Sequence, residues 1–209
     1  MMRWPSLIFL SVVVAANLAW PALAAQGDDP DWPCIQRKVP QLSLVQVWNG
    51  AELRPATVEW SKDATISALV VELSARRVPL QEAQQKIRGY AQGLPVGERE
   101  QRLTMLVRGL FDHMNQERSE VISGIARYAR GQRDMAARLR REASAVDALR
   151  VKPGADLNEL ALRNDRLVLQ TRIFQERAQS LSFVCEVPTL IEQRLYALTK
   201  TIAQTLGAR

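Results

Sequence analysis

The most regular pattern in the chain is a proline-free stretch from Glu98 to Leu149, in which apolar residues recur in steps of three and four or in sums of those steps. The members of this row are Leu103, Val107, Leu110, Met114, Val121, Ile125, Tyr128, Met135, Leu139, Val146 and Leu149. Such spacing places side chains on one face of an α-helix. The pattern predicts one helix over residues 98–149, about 75 Å long at about 1.5 Å per residue.

A second long pattern begins after Asp156, a residue type that often caps helices. Its members alternate by three and four without a slip, and they are Leu157, Leu160, Asn164, Leu167, Thr171, Phe174, Ala178, Leu181 and Cys185. Pro188 interrupts this pattern, and proline inside a helix removes a hydrogen bond and clashes with the preceding turn. We therefore predict a helix over 156–187, a kink near Val187 and a separate last helix over 189–206.

Shorter patterns precede the long ones. Asp63 is a good N-cap for a helix over 63–77, and Pro79 suits the first turn of another helix over 79–92. Residues 25–62 contain four prolines and form an irregular arm, in which residues 44–48 are β-prone and favour a short extended piece.

The connection between the two long helices is about six residues, so they must run antiparallel side by side. The predicted fold is therefore all-α. It consists of a long antiparallel helical hairpin, similar to a coiled coil, with two shorter N-terminal helices and an irregular, tryptophan-containing N-terminal arm.

The first 24 residues have the parts of a secretory signal peptide. Arg3 gives a basic start, residues 7–16 are apolar apart from one serine, and residues 22–24 read Ala-Leu-Ala, a small-residue cleavage site. The alternative is a retained membrane anchor, but Asn17 and Pro21 shorten the apolar core below the roughly 20 residues that a spanning helix needs. We expect cleavage after Ala24 and a periplasmic or secreted mature protein.

Composition excludes several classes of function. The chain has 28 basic and 22 acidic side chains, an excess too small and too dispersed to indicate nucleic-acid binding. One histidine and two cysteines exclude most zinc and iron–sulfur sites built from this chain alone, and no cofactor is expected. His113 and Glu117 are four residues apart on a predicted helix, but they are a weak ligand set and more typical of an ordinary helix pair. No catalytic constellation is visible.

The two cysteines, Cys34 and Cys185, predict one disulfide bond, because export exposes them to an oxidising compartment. The bond would fasten the arm to the helices near the base of the hairpin. A switchable thiol pair and a bond between two copies of the chain are the alternatives.

The three tryptophans of the mature chain, Trp32, Trp48 and Trp60, all lie in the arm. Two interpretations remain open. They anchor the arm to the helices, or they line a small-ligand site at the hairpin base, where we expect them to gather with the disulfide.

A basic stripe lies near the predicted tip. Its members fall within about 80° on a helical wheel, and they are Arg127, Arg130, Arg138 and Arg141. The stripe suits an anionic membrane surface or an acidic partner, and an ordinary solvated face is the alternative.

Taken with the absence of a catalytic motif, these features predict a non-enzymatic interaction, scaffold or adaptor protein. Its partner would be an envelope protein or a second copy of the chain. The alternative is a protein that binds a small ligand or a metal at the hairpin base.

Overall fold

The computed structural model describes residues 29–53 and 59–207, and all regular structure in these two ranges is helical. The elements are α1 (Leu44–Val47), a single 3-10 turn (Trp60–Lys62), α2 (Ala64–Ser74), α3 (Leu80–Gln92), α4 (Val96–Arg150) and α5 (Leu157–Gly207). The predicted all-α fold, with a long helical hairpin and shorter helices before it, is confirmed. The predicted signal peptide lies outside the described residues.

Two long helices dominate the molecule. Helix α4 has 55 residues and begins at Val96, two residues earlier than predicted, so it is about 80 Å long. The turn that follows contains Gly154 at φ 73°, a left-handed conformation that glycine adopts without strain. Asp156 then caps α5, since its Oδ1 accepts a hydrogen bond from the amide of Asn158 at 2.8 Å.

The predicted break at Pro188 is wrong, because α5 continues through this residue from Leu157 to Gly207. Pro188 itself is buried, as are Cys185 before it and Ile191 after it. Packing on both sides of the proline therefore holds the helix together. This packing offsets the roughly 3 kcal/mol that a proline costs in a helix interior, so no separate helix over 189–206 forms.

The main core lies at the open end of the hairpin, where α2 and α3 cover the ends of the long helices. Its largest fully buried members are Ile66, Leu73, Ile87, Leu103, Leu106, Leu110, Met114, Ile191, Leu195, Leu198 and Ile202. Asp63 caps α2 as predicted, because its side chain accepts from the amide of Ile66 at 3.0 Å. This bundle forms a compact base.

Helix α2 approaches α4 closely at Gly109. A Cβ at this position would lie 2.6 Å from a methyl group of Val70 and 3.0 Å from the Trp60 ring. These distances are shorter than side-chain carbons tolerate, so the packing of α2 and the Trp60 ring on α4 depends on glycine at this position.

The other half of the hairpin is thin. After Ala129, Val146 is the one residue of α4 that is buried, and α5 has no buried residue before Cys185. Polar contacts join the helices here. Arg163 donates to both carboxylate oxygens of Glu142 at 2.9 and 3.1 Å, and this contact lowers the pKa of Glu142 below its usual value. This half is a two-helix rod that projects from the base.

The arm contains a helical turn, α1 (Leu44–Val47), where the β-prone sequence predicts a short extended piece. The Gln46 side chain accepts a hydrogen bond from the amide of Ser43 at 2.7 Å, which is half of a capping box. Val47 is 2% exposed in the base core, and its carbonyl accepts from Thr199 Oγ1 at 2.5 Å. Tertiary packing thus overrides the β propensity of this segment.

Candidate functional site

The predicted disulfide between Cys34 and Cys185 is present in the structure, with a Cα–Cα distance of 5.5 Å. Both cysteines are nearly buried, and they pack with Ile125, about halfway along α4. The expected position at the hairpin base is wrong. Ile125 is sixteen residues from Gly109, where Trp60 packs, which corresponds to about 24 Å along the helix. The bond fastens the arm to the middle of the hairpin.

The arm runs along α4 in the opposite direction to the helix. Its contacts, from the hairpin middle towards the base, pair Asp31 with Arg130 and Arg133, Val39 with Arg118, Pro40 with Ser119, Leu42 with Asn115, and Leu53 with Arg108. The arm is therefore a strap whose attachment is distributed over about half of the length of α4.

Arg118 of α4 is the most buried charge that contacts the strap, with its side chain 5% exposed. Its guanidinium donates to the Val39 carbonyl at 2.6 Å and lies 3.6 Å from a carboxylate oxygen of Glu192 on α5. Burial lowers the pKa of Arg118 below its ordinary value. One side chain thus connects the arm to both long helices.

The strap occupies part of the predicted basic stripe. Arg130 donates to Asp31 at 2.6 Å, and hydrogen bonds from Arg133 and Arg130 lower the pKa of Asp31 below its usual value. Arg127 lines a groove between the strap and α4, beside Pro40. The other two members, Arg138 and Arg141, are exposed further towards the tip. Arg127 and Arg130 therefore lie beside the strap, whereas Arg138 and Arg141 lie beyond it.

The structure does not bring the three tryptophans together. Trp32 packs beside the disulfide, whereas Trp48 and Trp60 pack on the base core. Each indole N–H has an acceptor, and these are the Gln36 carbonyl at 2.6 Å, the Ala51 carbonyl at 2.7 Å and the Asp112 carboxylate at 3.0 Å respectively. A single ligand site lined by all three is ruled out by this placement.

Trp48 alone lines a pocket of about 480 Å³ at the base. Polar members of the lining include Asn49, Glu100, Lys200 and Gln204. The volume is within the range of small-molecule sites, about 300 to 1,000 Å³. Of the three tryptophans, Trp48 is therefore the one whose position is consistent with a small-ligand site.

The predicted helix pair of His113 and Glu117 shows no metal geometry. Glu117 lies 3.8 Å from the guanidinium of Arg76 on the α2–α3 connection. Among residues 29–53 and 59–207, no group of three histidine, cysteine, aspartate or glutamate side chains is placed to hold a metal ion.

Four large apolar side chains of α5 form an exposed row that the sequence analysis did not identify. They are Leu162, Leu169, Phe183 and Leu190, and they are 60%, 58%, 72% and 49% exposed. Residues seven apart lie on nearly the same side of a helix, since two turns take about 7.2 residues. Glu176 occupies the missing position of this spacing. We call these four apolar residues the outer row.

The outer row faces away from α4. Leu162, Leu169 and Phe183 each come two residues after a seam position, and two residues correspond to about 200° around the helix. Leu190 likewise comes two residues after the buried Pro188. In a two-helix rod this side is the most exposed to water. Large apolar side chains that recur on this side favour an interaction site. The seven-residue spacing is visible in the sequence, but spacing alone does not distinguish this row from ordinary surface positions beside the first seam.

The chain matches no protein-family model, no curated protein and no solved structure. No helix in the described part of the chain is long and apolar enough to cross a membrane. A function must therefore be inferred from the contacts, burial and charge of these residues.

Proposed function

We propose that the protein is an exported, non-enzymatic helical adaptor or scaffold that acts in the periplasm or after secretion. The outer row of α5 is its binding surface. This row is the observation that carries the proposal, because four large side chains stay 49% to 72% exposed on the back of the hairpin. Burying each of them against a partner would contribute about 1 kcal/mol or more.

Two further features support this proposal. The Cys34–Cys185 bond fits an oxidising compartment outside the cytoplasm, as the N-terminal sequence also predicts. The rod projects from a compact base, so its outer side is accessible along the hairpin. The exposed guanidinium groups of Arg138 and Arg141 add a positive surface near the tip, suited to an acidic partner or anionic lipid headgroups.

Affinity capture from an envelope extract tests the proposal. The full chain is used as bait in three forms: wild type, Leu169→Glu and Val71→Glu. Val71 is 56% exposed on α2, so the second variant places the same charge on an unrelated exposed apolar position. We expect the wild type and Val71→Glu to retain a binding partner that Leu169→Glu loses. Equal retention by all three forms would contradict the proposal.

A second candidate function is binding of a small ligand in the Trp48 pocket. The pocket volume of about 480 Å³ and its lysine and glutamate lining favour a polar metabolite. Tryptophan fluorescence of the wild type and of Trp48→Phe, titrated with a panel of envelope metabolites, tests this candidate. A ligand in the pocket would change the wild-type emission and leave the variant unchanged.

A further inference from the structure

We propose that the outer face of α5 pairs with the same face of a second copy of this chain, in antiparallel orientation. This inference rests on the proposed interaction function, for which it names the partner. It begins from the residues that lie between the members of the outer row.

The outer row belongs to a second seam. Positions three or four residues from its members complete an uninterrupted alternation, and the whole set is Leu162, Arg166, Leu169, Ile173, Glu176, Ser180, Phe183, Val187 and Leu190. Val187 packs against the base core, so the uncovered part of this seam lies mainly between Leu162 and Phe183. Steps of four and three are the pattern that a helix presents to another helix in a coiled coil. The natural occupant of this face is therefore a helix with a matching seam.

The chain itself shows that helices pack on this side of α5. Closer to the base, the same face continues to Arg194 and Thr201. Arg194 donates to the carbonyl of Leu73 on α2 at 2.9 Å, and Gln84 of α3 donates to Thr201 at 3.1 Å. The second seam is thus the continuation, towards the tip, of a face that α2 and α3 cover at the base.

The charges in the second seam are complementary to those of the same seam in a second copy. Arg166 and Glu176 have opposite signs and lie five residues on either side of position 171, and Leu169 and Ile173 lie two residues on either side. A two-fold axis level with position 171 brings each Arg166 opposite Glu176 of the second copy. The same axis places each Leu169 opposite Ile173, as a self-complementary interface requires.

Glu176 can accept hydrogen bonds from an arginine of each copy at the same time. Its Oε1 accepts from Arg172 of its own chain at 2.9 Å, while the side chain as a whole remains 60% exposed. The other carboxylate oxygen is therefore available to an arginine that approaches from outside.

This register also fits the shape of the molecule. Gly154 at the tip lies seventeen residues from position 171, so the tip of the second copy reaches the level of residue 188. It ends beside Val187, where this face meets the base core, and before Arg194, where α2 covers α5.

The size of the contact predicts a weak dimer. The overlap from residue 154 to residue 188 is about 50 Å long, and a helix is about 10 Å wide, which gives about 500 Å² on each copy. A total of about 1,000 Å² is at the lower limit for specific interfaces. We expect a dissociation constant in the micromolar range.

Sedimentation velocity of the oxidised full chain, from about 1 µM to about 500 µM, measures this association. We expect the wild type and Val71→Glu to shift from one chain to two within this range, and Leu169→Glu to remain a single chain throughout. Circular dichroism of each variant verifies that it folds. Since residues 71 and 169 are both exposed, neither change removes a core contact.

Charge reversal tests the antiparallel register. Arg166→Glu and Glu176→Arg each place like charges opposite one another twice per dimer, so each should weaken the association about tenfold or more. The double variant Arg166→Glu/Glu176→Arg restores both pairs, and its dissociation constant should return to within about threefold of the wild type.

A wild type that remains a single chain at the highest concentration would overturn self-association. So would dimerisation by Leu169→Glu, or a double charge reversal that fails to restore it. The proposed adaptor function is separable from these outcomes. If the wild type is a single chain but Leu169→Glu still loses an envelope partner, the adaptor function stands with a different partner. If no partner is lost either, both proposals are wrong.

Discussion

Replacing Cys34 and Cys185 by alanine removes the covalent link between the arm and α5, and we expect it to lower the free energy of unfolding by about 2 to 5 kcal/mol. The two cysteines are 151 residues apart in sequence. A bridge that closes so long a loop restricts the unfolded chain strongly, and the chain-entropy model sets about 5 kcal/mol as the upper value. Residual structure in the unfolded chain brings the expected loss below this limit.

Urea unfolding followed by far-ultraviolet circular dichroism measures this loss. Reduced wild type is the control, because it lacks the bond but keeps both sulfur atoms in place. It should unfold within about 1 kcal/mol of the double alanine variant, since the side chains lost are small. The strap should stay on α4 in both, because Arg118 and Asn115 still hold it. A difference of less than about 1 kcal/mol between oxidised wild type and the double variant would refute this reasoning.

Three further predictions concern the base and the strap. Gly109→Ala should destabilise the protein by about 1 to 3 kcal/mol through overpacking. Gly131→Ala, whose Cβ meets nothing within 4 Å, should stabilise it by up to about 1 kcal/mol. Thermal unfolding of both variants and the wild type measures these changes in stability. Arg118→Met should cost about 2 kcal/mol in urea unfolding, because the Val39 carbonyl loses a charge-assisted donor, and a loss under about 0.5 kcal/mol would contradict the role of Arg118 as a connector. Because the pKa of Asp31 is lowered in the folded protein, its contribution to stability is present above the ordinary aspartate pKa and is lost as the pH falls through the lowered value. Asp31→Asn should therefore remove that part of the acid dependence of the free energy of unfolding. Identical profiles of stability against pH for the wild type and Asp31→Asn would contradict this prediction.

The sequence predicts the hairpin well because long helices repeat their signal many times. Steps of three and four over Leu103, Val107, Leu110 and Met114 mark the buried face of α4 with little ambiguity. The cap at Asp63 is likewise a local signal, and it is confirmed. Such features depend on neighbours in sequence, so the sequence alone reveals them.

Features that depend on distant contacts could not be predicted. Pro188 stays inside α5 because buried residues on both sides pack in the fold. The position of the disulfide along α4 depends on how far the arm extends along this helix. That distance is set by contacts such as the one between Arg118 and Val39. Sequence spacing carries no information about either.

The outer row could be predicted only in part from the sequence. The seven-residue spacing of Leu162, Leu169 and Leu190 is present in the sequence, but a spacing alone does not say which side of a helix is exposed. That requires knowing that α4 covers the adjacent seam and that the short helices stop near Arg194. The structure supplies both facts, and with them the row becomes a candidate binding surface.

Photo-crosslinking in the cells that make the protein tests the central claim most directly, namely that the outer row contacts a macromolecular partner. A photoreactive phenylalanine analogue replaces Leu169 or Phe183 in turn, and Val71 on α2 serves as the control position. We predict that both outer-row positions yield a crosslinked adduct of defined mass and that position 71 yields none. Absence of any adduct at both outer-row positions, in a chain that folds and forms its disulfide, would contradict the account.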